Sequence, residues 1–320
     1  MAFTVVPLHN LRLAEGTCIP FGDGLCLQDV PEWLRKDEHT LADINRMDRQ
    51  LTLAAKHALV AEYEAASIGE PDPNWKGQHP KSIQEMKLQS AMLANLAMWL
   101  RQPAPIRFTV CFNALSIRNG PHGTVPVILD VQGITPLYCH PHDEKNPLTS
   151  HHIKQAAELH RILCGIPRKN PVWEALRAMW AGLTMNPADH RYPFFWLGLE
   201  ALFGDEDYSR GFTKRLCERI ALFIAENKKD AQSIYDKASR CYDMRSTIVH
   251  GRWENDPALD DVMYETEAIW RTGLRKLMER PDILAKFVGA ERNQYLTQLS
   301  TDRLGSGWLR PAATARPARR

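Results

Sequence analysis

Apolar residues recur along this chain at two different spacings, and the change of spacing divides it. From about residue 149 the period is helical almost throughout. It predicts helices over 149–164, 171–183, 187–203, 209–225, 229–250 and 257–280, with a shorter one near 283–299. Asn170-Pro171, Asn186-Pro187 and Asp256-Pro257 each set a capping residue before a proline at the first helical position, where the absent N–H costs nothing. Short turns between these segments favour antiparallel packing, so the natural C-terminal architecture is a helical bundle.

The N-terminal part is mixed. Residues 1–38 combine short apolar runs with Gly16, Pro20, Gly22, Gly24 and Pro31, and read as irregular or short-stranded. Ile44, Met47, Leu51, Ala54, Ala58 and Ala61 recur at helical spacing, which predicts one long helix over 42–66. The stretch 69–80, with three prolines and two glycines, breaks it, and a second helix over 82–100 ends before Pro103 and Pro105. Alternation of Phe108, Val110 and Phe112 with polar or small neighbours predicts a strand over 106–115. A second run at 125–131 follows turn chemistry at Asn119-Gly120, so the two form a hairpin expected to pack on the two helices. The expected fold is mainly α: a smaller N-terminal α+β region over 1–147, an antiparallel helical bundle over 148–300 and a basic flexible tail over 301–320.

With 44% hydrophobic residues and nine tryptophans, 320 residues suffice for substantial cores in one large domain or two ordinary ones. The formal net charge is only +2, and Arg303, Arg310, Arg316, Arg319 and Arg320 stand against Asp302 alone in the last stretch. No broad basic field therefore advertises nucleic acid, and any such contact is expected to be local. Seven cysteines show no repeated paired spacing and several sit among apolar residues, as reduced thiols that pack like small hydrophobes do. No basic segment leads into an apolar signal core and no uninterrupted run is long enough to cross a membrane; Glu200 interrupts the most apolar stretch, 192–204. The expected location is the cytoplasm.

The most chemically informative segment is Tyr242-Asp243-Met244-Arg245-Ser246-Thr247-Ile248-Val249-His250-Gly251. A guanidinium holds a phosphate as a bidentate, permanently charged fork, and an imidazole moves protons near neutral pH. Gly251 is suited to the left-handed conformation that closes a helix, leaving His250 beside unpaired carbonyls. Five helical steps, however, separate Arg245 from His250 by about 140° around the axis and about 7.5 Å along it. A bent terminal turn, an extended arginine or a second subunit is needed to bring them to one group; in a symmetric dimer, two equivalent helix ends line one groove. A plain structural role stands beside this one: Arg245 pairs with an internal acid such as Glu200, and His250 caps carbonyls.

Tyr242, Arg245, Ser246, His250 and Gly251 resemble the signature helix of the HEPN superfamily, in its Apea-like branch with an Arg-x4-His motif. The stretch 191–203, with its aromatic residues and Glu200, resembles the early apolar helix of those domains, and 216–225, with Arg219, resembles the next. The resemblance covers roughly residues 149–280. It implies a HEPN helical bundle, a homodimer, and a metal-independent endoribonuclease with Arg245 and His250 as catalytic residues and no cofactor. The implied reaction is attack by the RNA 2′-hydroxyl on the adjacent phosphate, giving 2′,3′-cyclic phosphate and 5′-hydroxyl ends, and the implied setting is defence against phage or other mobile elements. Ser246 and Tyr242 are candidates for substrate contact or support of the site, against local backbone bonding for Ser246 and a core or dimer contact for Tyr242. The alternative is a noncatalytic HEPN dimer that binds RNA or a regulatory protein partner.

Other patterns weigh less. Cys139, His140, His142, His151 and His152 have zinc-ligand chemistry but match no familiar spacing, so exposed histidines beside a packed cysteine are the expected reading. Asp205, Glu206 and Asp207 follow Gly204 as a solvated loop rather than a magnesium pocket, and Asp260 and Asp261 suit the first turn of a helix. Phe194, Phe195, Trp196 and Phe203 are expected in a core rather than as a base-stacking surface. No glycine-rich phosphate loop is present.

Overall fold

His57 to Tyr63, where the helical spacing predicted the second half of a long helix, form an inner strand of an antiparallel sheet. The computed structural model describes residues 1–64, 82–118, 124–186, 188–205, 211–251 and 258–309. It divides into two compact units, Met1–Ile166 and Pro167–Arg320.

In the first unit, β1 (Ala2–Leu8), β2 (Ile19–Gly22), β3 (Leu25–Asp29), β4 (His57–Tyr63), β5 (Val110–Arg118) and β6 (Thr124–Gly133) form one six-stranded sheet in the order β2-β3-β4-β1-β5-β6. Every pairing is antiparallel, and Val5 stands opposite Val60 on one side and Phe112 on the other. The expected β5–β6 hairpin is present, but as one end of a larger sheet. Short helices α1 (Glu32–Lys36), α2 (Glu38–Asp43) and α3 (Arg46–Ala54) bring Leu34 and Leu41 onto a core with Val5, Val60 and Phe112. Helices α4 (Ile83–Arg101) and α5 (Ser150–Gly165) also pack on the sheet, through β1, β2 and β3. All but one residue of β4 is therefore buried. A strand covered in this way is a continuous apolar run, and its alanines and leucine fit a helical period as readily.

Local rules that rest on single residues fare better. Ser82 and Glu85 form a reciprocal capping box at the start of α4, which ends at Gln102, immediately before Pro103. The turn at 119–123 lies outside the described residues. Helix α5 matches the predicted helix over 149–164, with Thr149 as its cap, but belongs to the first unit. His160 in this helix lies with Nδ1 3.1 Å from the Phe21 carbonyl and Nε2 3.0 Å from the Ser90 carbonyl, and the division falls after Ile166 rather than after residue 147.

The second unit is helical among its described residues: α6 (Pro171–Thr184), α7 (Ala188–Phe203), α8 (Phe212–Ile224), α9 (Lys228–Val249), α10 (Ala258–Met278), α11 (Pro281–Val288) and α12 (Arg292–Gly305). Asn170 caps α6 by accepting from the Trp173 amide at 3.0 Å, with Pro171 at the first position. The prolines 187 and 257 lie outside the described residues. The segment predicted as one short last helix is two, α11 and α12, separated at Gly289. Phe195, Trp196 and Phe203 are fully buried, as expected of a core, and so are Tyr192 and Trp270, whereas Phe194 is half-buried. A Cβ on Gly198 would lie 2.7 Å from Trp270 Nε1, so only glycine permits this approach of α7 to α10.

The carbonyls at the end of α7 are met by cations from two helices. Arg292 of α12 donates to Ala201 O and, at 3.4 Å, to Leu202 O; Arg219 of α8 donates to Phe203 O at 3.3 Å. These bonds satisfy groups that have no intrahelical partner and suit the negative pole of the helix. The expected flexible tail begins too early at residue 301. Helix α12 runs to Gly305, and Leu309 packs against Leu222, Ala225 and Ala231. Residues 310–320, with Arg310, Arg316, Arg319 and Arg320, lie outside the described residues. No described helix is long and apolar enough to cross a membrane.

Candidate active site at the end of helix α9

Helix α9 is capped at its start by Asn227, which accepts from the Asp230 amide at 3.0 Å, and ends at His250 and Gly251. Gly251 adopts a φ of +66°, and its amide donates to Ile248 O at 3.0 Å. The His250 amide donates to Ser246 O at 3.1 Å. This is the glycine-terminated helix end that the sequence predicts. Ala238 and Cys241 are buried, whereas Val249, on the last turn, is 49% exposed.

Arg245 turns toward α7. Its Nη2 lies 3.3 Å from Glu200 Oε1, and its side chain is 26% exposed while that of Glu200 is 6% exposed. Tyr242, one turn earlier, donates from its hydroxyl to the same Glu200 oxygen at 3.2 Å. The Tyr242 ring stands edge-on to Trp196 at 4.9 Å, and the Arg245 guanidinium carbon lies 5.5 Å from the Tyr242 ring centre. Below this layer, the Tyr192 hydroxyl donates to Cys241 O at 2.7 Å and meets Thr266 Oγ1 at 3.1 Å, tying α7, α9 and α10 together. Two aromatic residues of α7 thus fix the part of α9 from which Arg245 projects.

The electrostatics follow from burial. Desolvation raises the Glu200 carboxyl above the ordinary carboxylate value, although the Arg245 charge and the Tyr242 hydroxyl both pull it down. Burial and the neighbouring carboxylate push the Tyr242 phenol up to about 12, so it remains a neutral donor. Arg245 Nε is buried and has no hydrogen-bond partner among the described residues. One edge of the guanidinium is engaged by a carboxylate and part of it remains exposed.

Arg245, Tyr242 and Glu200 are therefore brought together, while His250 sits exposed at the helix end. Ser246 contributes its carbonyl to the His250 amide. The internal pairing of Arg245 with Glu200, weighed on sequence as the plain structural role, is present. Trp196 as the wall behind Tyr242 was legible only as an apolar residue of a core.

The other candidate clusters do not assemble. His140 caps a short 3-10 turn through Nδ1 and stacks on His142 at 4.9 Å, while His152 completes the cap of α5 with Thr149. No group of three or more metal-binding side chains occurs among the described residues. Asp205 pairs with Arg219 and, at 2.8 Å, with Arg215; Glu206 and Asp207 lie outside the described residues. Comparison with known proteins finds no matching family model, no matching curated protein and no matching solved structure.

Proposed function

We propose that this chain is a metal-independent endoribonuclease of the HEPN type, acting in the cytoplasm as a homodimer, with its helical second unit as the HEPN bundle. The observation that carries the reading is the Arg245 guanidinium of α9, held against Glu200 beside Tyr242, five residues before an exposed imidazole at the end of the same helix. In this reading His250 takes the proton of the RNA 2′-hydroxyl or gives one to the departing 5′-oxygen, the dimer mate supplying the complementary role. Arg245 holds the scissile phosphate and balances the charge that builds on it. The bond formed is 2′-O–P and the bond broken is P–O5′, leaving a 2′,3′-cyclic phosphate and a 5′-hydroxyl. DNA lacks the internal nucleophile. A role in defence against phage or mobile elements fits such an activity.

The 140° between the two side chains is the reason for the dimer. Each helix end then needs to complete only half of the constellation. The test is cleavage of RNA in the presence of EDTA by the native chain, Arg245→Ala and His250→Ala, with folding and mass checked for each. Loss of about 10²-fold or more in both folded variants, with cyclic-phosphate ends from the native chain, is the expected result. The ion pair between Arg245 and Glu200 favours a second reading, in which the cation is structural and the dimer binds RNA or a regulatory protein without cutting. Binding with no cleavage in any arm would decide for it.

A further inference from the structure

The N-terminal half of α9 presents a stripe that the catalytic reading does not use. Lys229, Ser233, Lys237 and Arg240 recur at intervals of four, four and three, and all are exposed. Beside them Trp308, carried on the chain that follows α12, closes a groove of about 720 Å³. Lys228 fixes this wall by donating from Nζ to Ser306 O at 2.6 Å, and the Arg303 guanidinium lies 4.0 Å from the Trp308 ring centre. Lys229 and Lys237 have no carboxylate partner among the described residues. The single acid of the groove, Asp236, accepts from Gln232 Nε2 at 2.9 Å, while Arg240 pairs with Glu265.

We infer that this groove binds a short stretch of single-stranded RNA, its phosphates along Lys229, Lys237 and Arg240 and one base against Trp308. Among the described residues, Lys229 and Lys237 are the unpaired cations of the groove against one acid, Arg240 being matched by Glu265, which favours a polyanion. The half-buried indole beside them offers an aromatic surface that a base, but not a carboxylate side chain, can stack on. A base free to stack belongs to a single strand. The cationic stripe spans about 16 Å of helix from Lys229 to Arg240 at about 1.5 Å per residue. The positive pole at the start of α9 adds to the charge at the Lys228–Lys229 end.

The stripe also has a direction. At about 100° per residue the stripe covers about 80° of the helix surface; Thr247 continues its Lys229 edge, His250 lies about 60° beyond that edge, and Arg245 lies about 80° beyond the Lys237 edge, on the side that meets Glu200. RNA laid along the groove would thus run toward the end of the helix that carries His250. The arginine that completes that site would come from the partner copy. The choice of RNA over another polynucleotide rests on the proposed function; the groove itself does not.

The test measures anisotropy of a labelled, uridine-rich 2′-O-methyl RNA of about 12 nucleotides, within the usual range of single-strand sites, with the full chain at several salt concentrations. Blocking the 2′-hydroxyl separates binding from cutting. Lys229→Glu with Lys237→Glu should weaken binding at least about tenfold and make the log–log salt slope shallower by about 1.4, since each phosphate contact contributes about 0.7. Trp308→Ala should weaken binding roughly tenfold while Trp308→Phe retains most of it. The lysine positions are exposed, so these variants keep the result interpretable if Trp308→Ala fails to fold. Binding within twofold of native and an unchanged slope in the double lysine variant would overturn the groove, as would equal affinity for a poly-glutamate peptide. A parallel arm uses unmodified RNA of the same sequence: there, cleavage lost in His250→Ala but untouched by the lysine reversals would overturn the groove and leave the nuclease. Lysine-dependent binding without cleavage would uphold the groove and remove the nuclease.

Discussion

Glu200 and Arg245 form an ion pair of 3.3 Å between α7 and α9 in which the acid is the more deeply buried partner. Such a pair is costly to break from one side, because the remaining charge loses its partner without regaining water. Glu200→Ala is expected to destabilise the second unit by about 2 kcal/mol, less than a fully buried pair because Arg245 keeps some solvent. If Arg245 acts on phosphate, the same substitution lowers cleavage through a misplaced cation, and Glu200→Gln, which preserves the bond from Tyr242, is milder. Chemical denaturation and cleavage rates measured together check both.

The same carboxyl gives a pH signature. Its folded value is raised by burial, so it holds its proton more tightly folded than unfolded. Its contribution to stability is full below the ordinary carboxylate value and is lost as pH rises through the raised one. Thermal melts of native chain and Glu200→Gln across that interval should show the native chain losing more stability on the way to neutral pH. Parallel curves would refute the assignment.

Gly198 offers a packing test. Adding one methyl group places a carbon 2.7 Å from Trp270 Nε1 and 3.0 Å from its ring. Gly198→Ala should cost about 1–3 kcal/mol by forcing α7 and α10 apart, despite the better helix propensity of alanine. Denaturant titration of the two proteins gives the difference directly.

Leu309 was expected in a tail and is 9% exposed in a core with Leu222 and Ala231. Leu309→Ala should cost about 2 kcal/mol, at the low end for a buried leucine. Leu304→Ala, at an exposed position five residues earlier, should change stability by less than about 0.5 kcal/mol.

Cys18 and Cys26 bring their sulfurs to 2.7 Å across the β2–β3 hairpin, a pairing that eight residues of sequence separation did not reveal. Burial and the adjacent Cys18 push the Cys26 thiol up to about 12, so the more exposed Cys18 is the attacking sulfur. Treatment with glutathione disulfide should yield an internal Cys18–Cys26 disulfide, releasing two glutathione thiols and removing two hydrogens from the protein. Intact-mass and peptide analysis read this, and Cys26→Ser should abolish it.

Elements marked by a single decisive residue were legible in the sequence. Ser82, Asn170 and Gly251 each specify a helix end by a backbone requirement that neighbouring structure does not alter. The second half of the predicted 42–66 helix failed because β4 is buried by what lies across it, and Ala58, Leu59, Val60 and Ala61 carry no sign of that environment. The pairing of Arg245 with Glu200 was weighed in the sequence as one of two roles, and it is how α7 meets α9 that brings it about. The groove was not legible for a similar reason: nothing near Lys229 and Lys237 in the sequence points to Trp308, about 70 residues further on, which lines it with them.

The two outermost strands of the sheet, β2 and β6, each contain a proline, Pro20 and Pro126. A proline lacks the amide that a newcomer strand would pair with, so neither rim offers an unbroken seam for stitching one sheet to another. Crowded copies of this protein are thereby steered away from fibre-like stacking, and self-association is left to surfaces made of side chains.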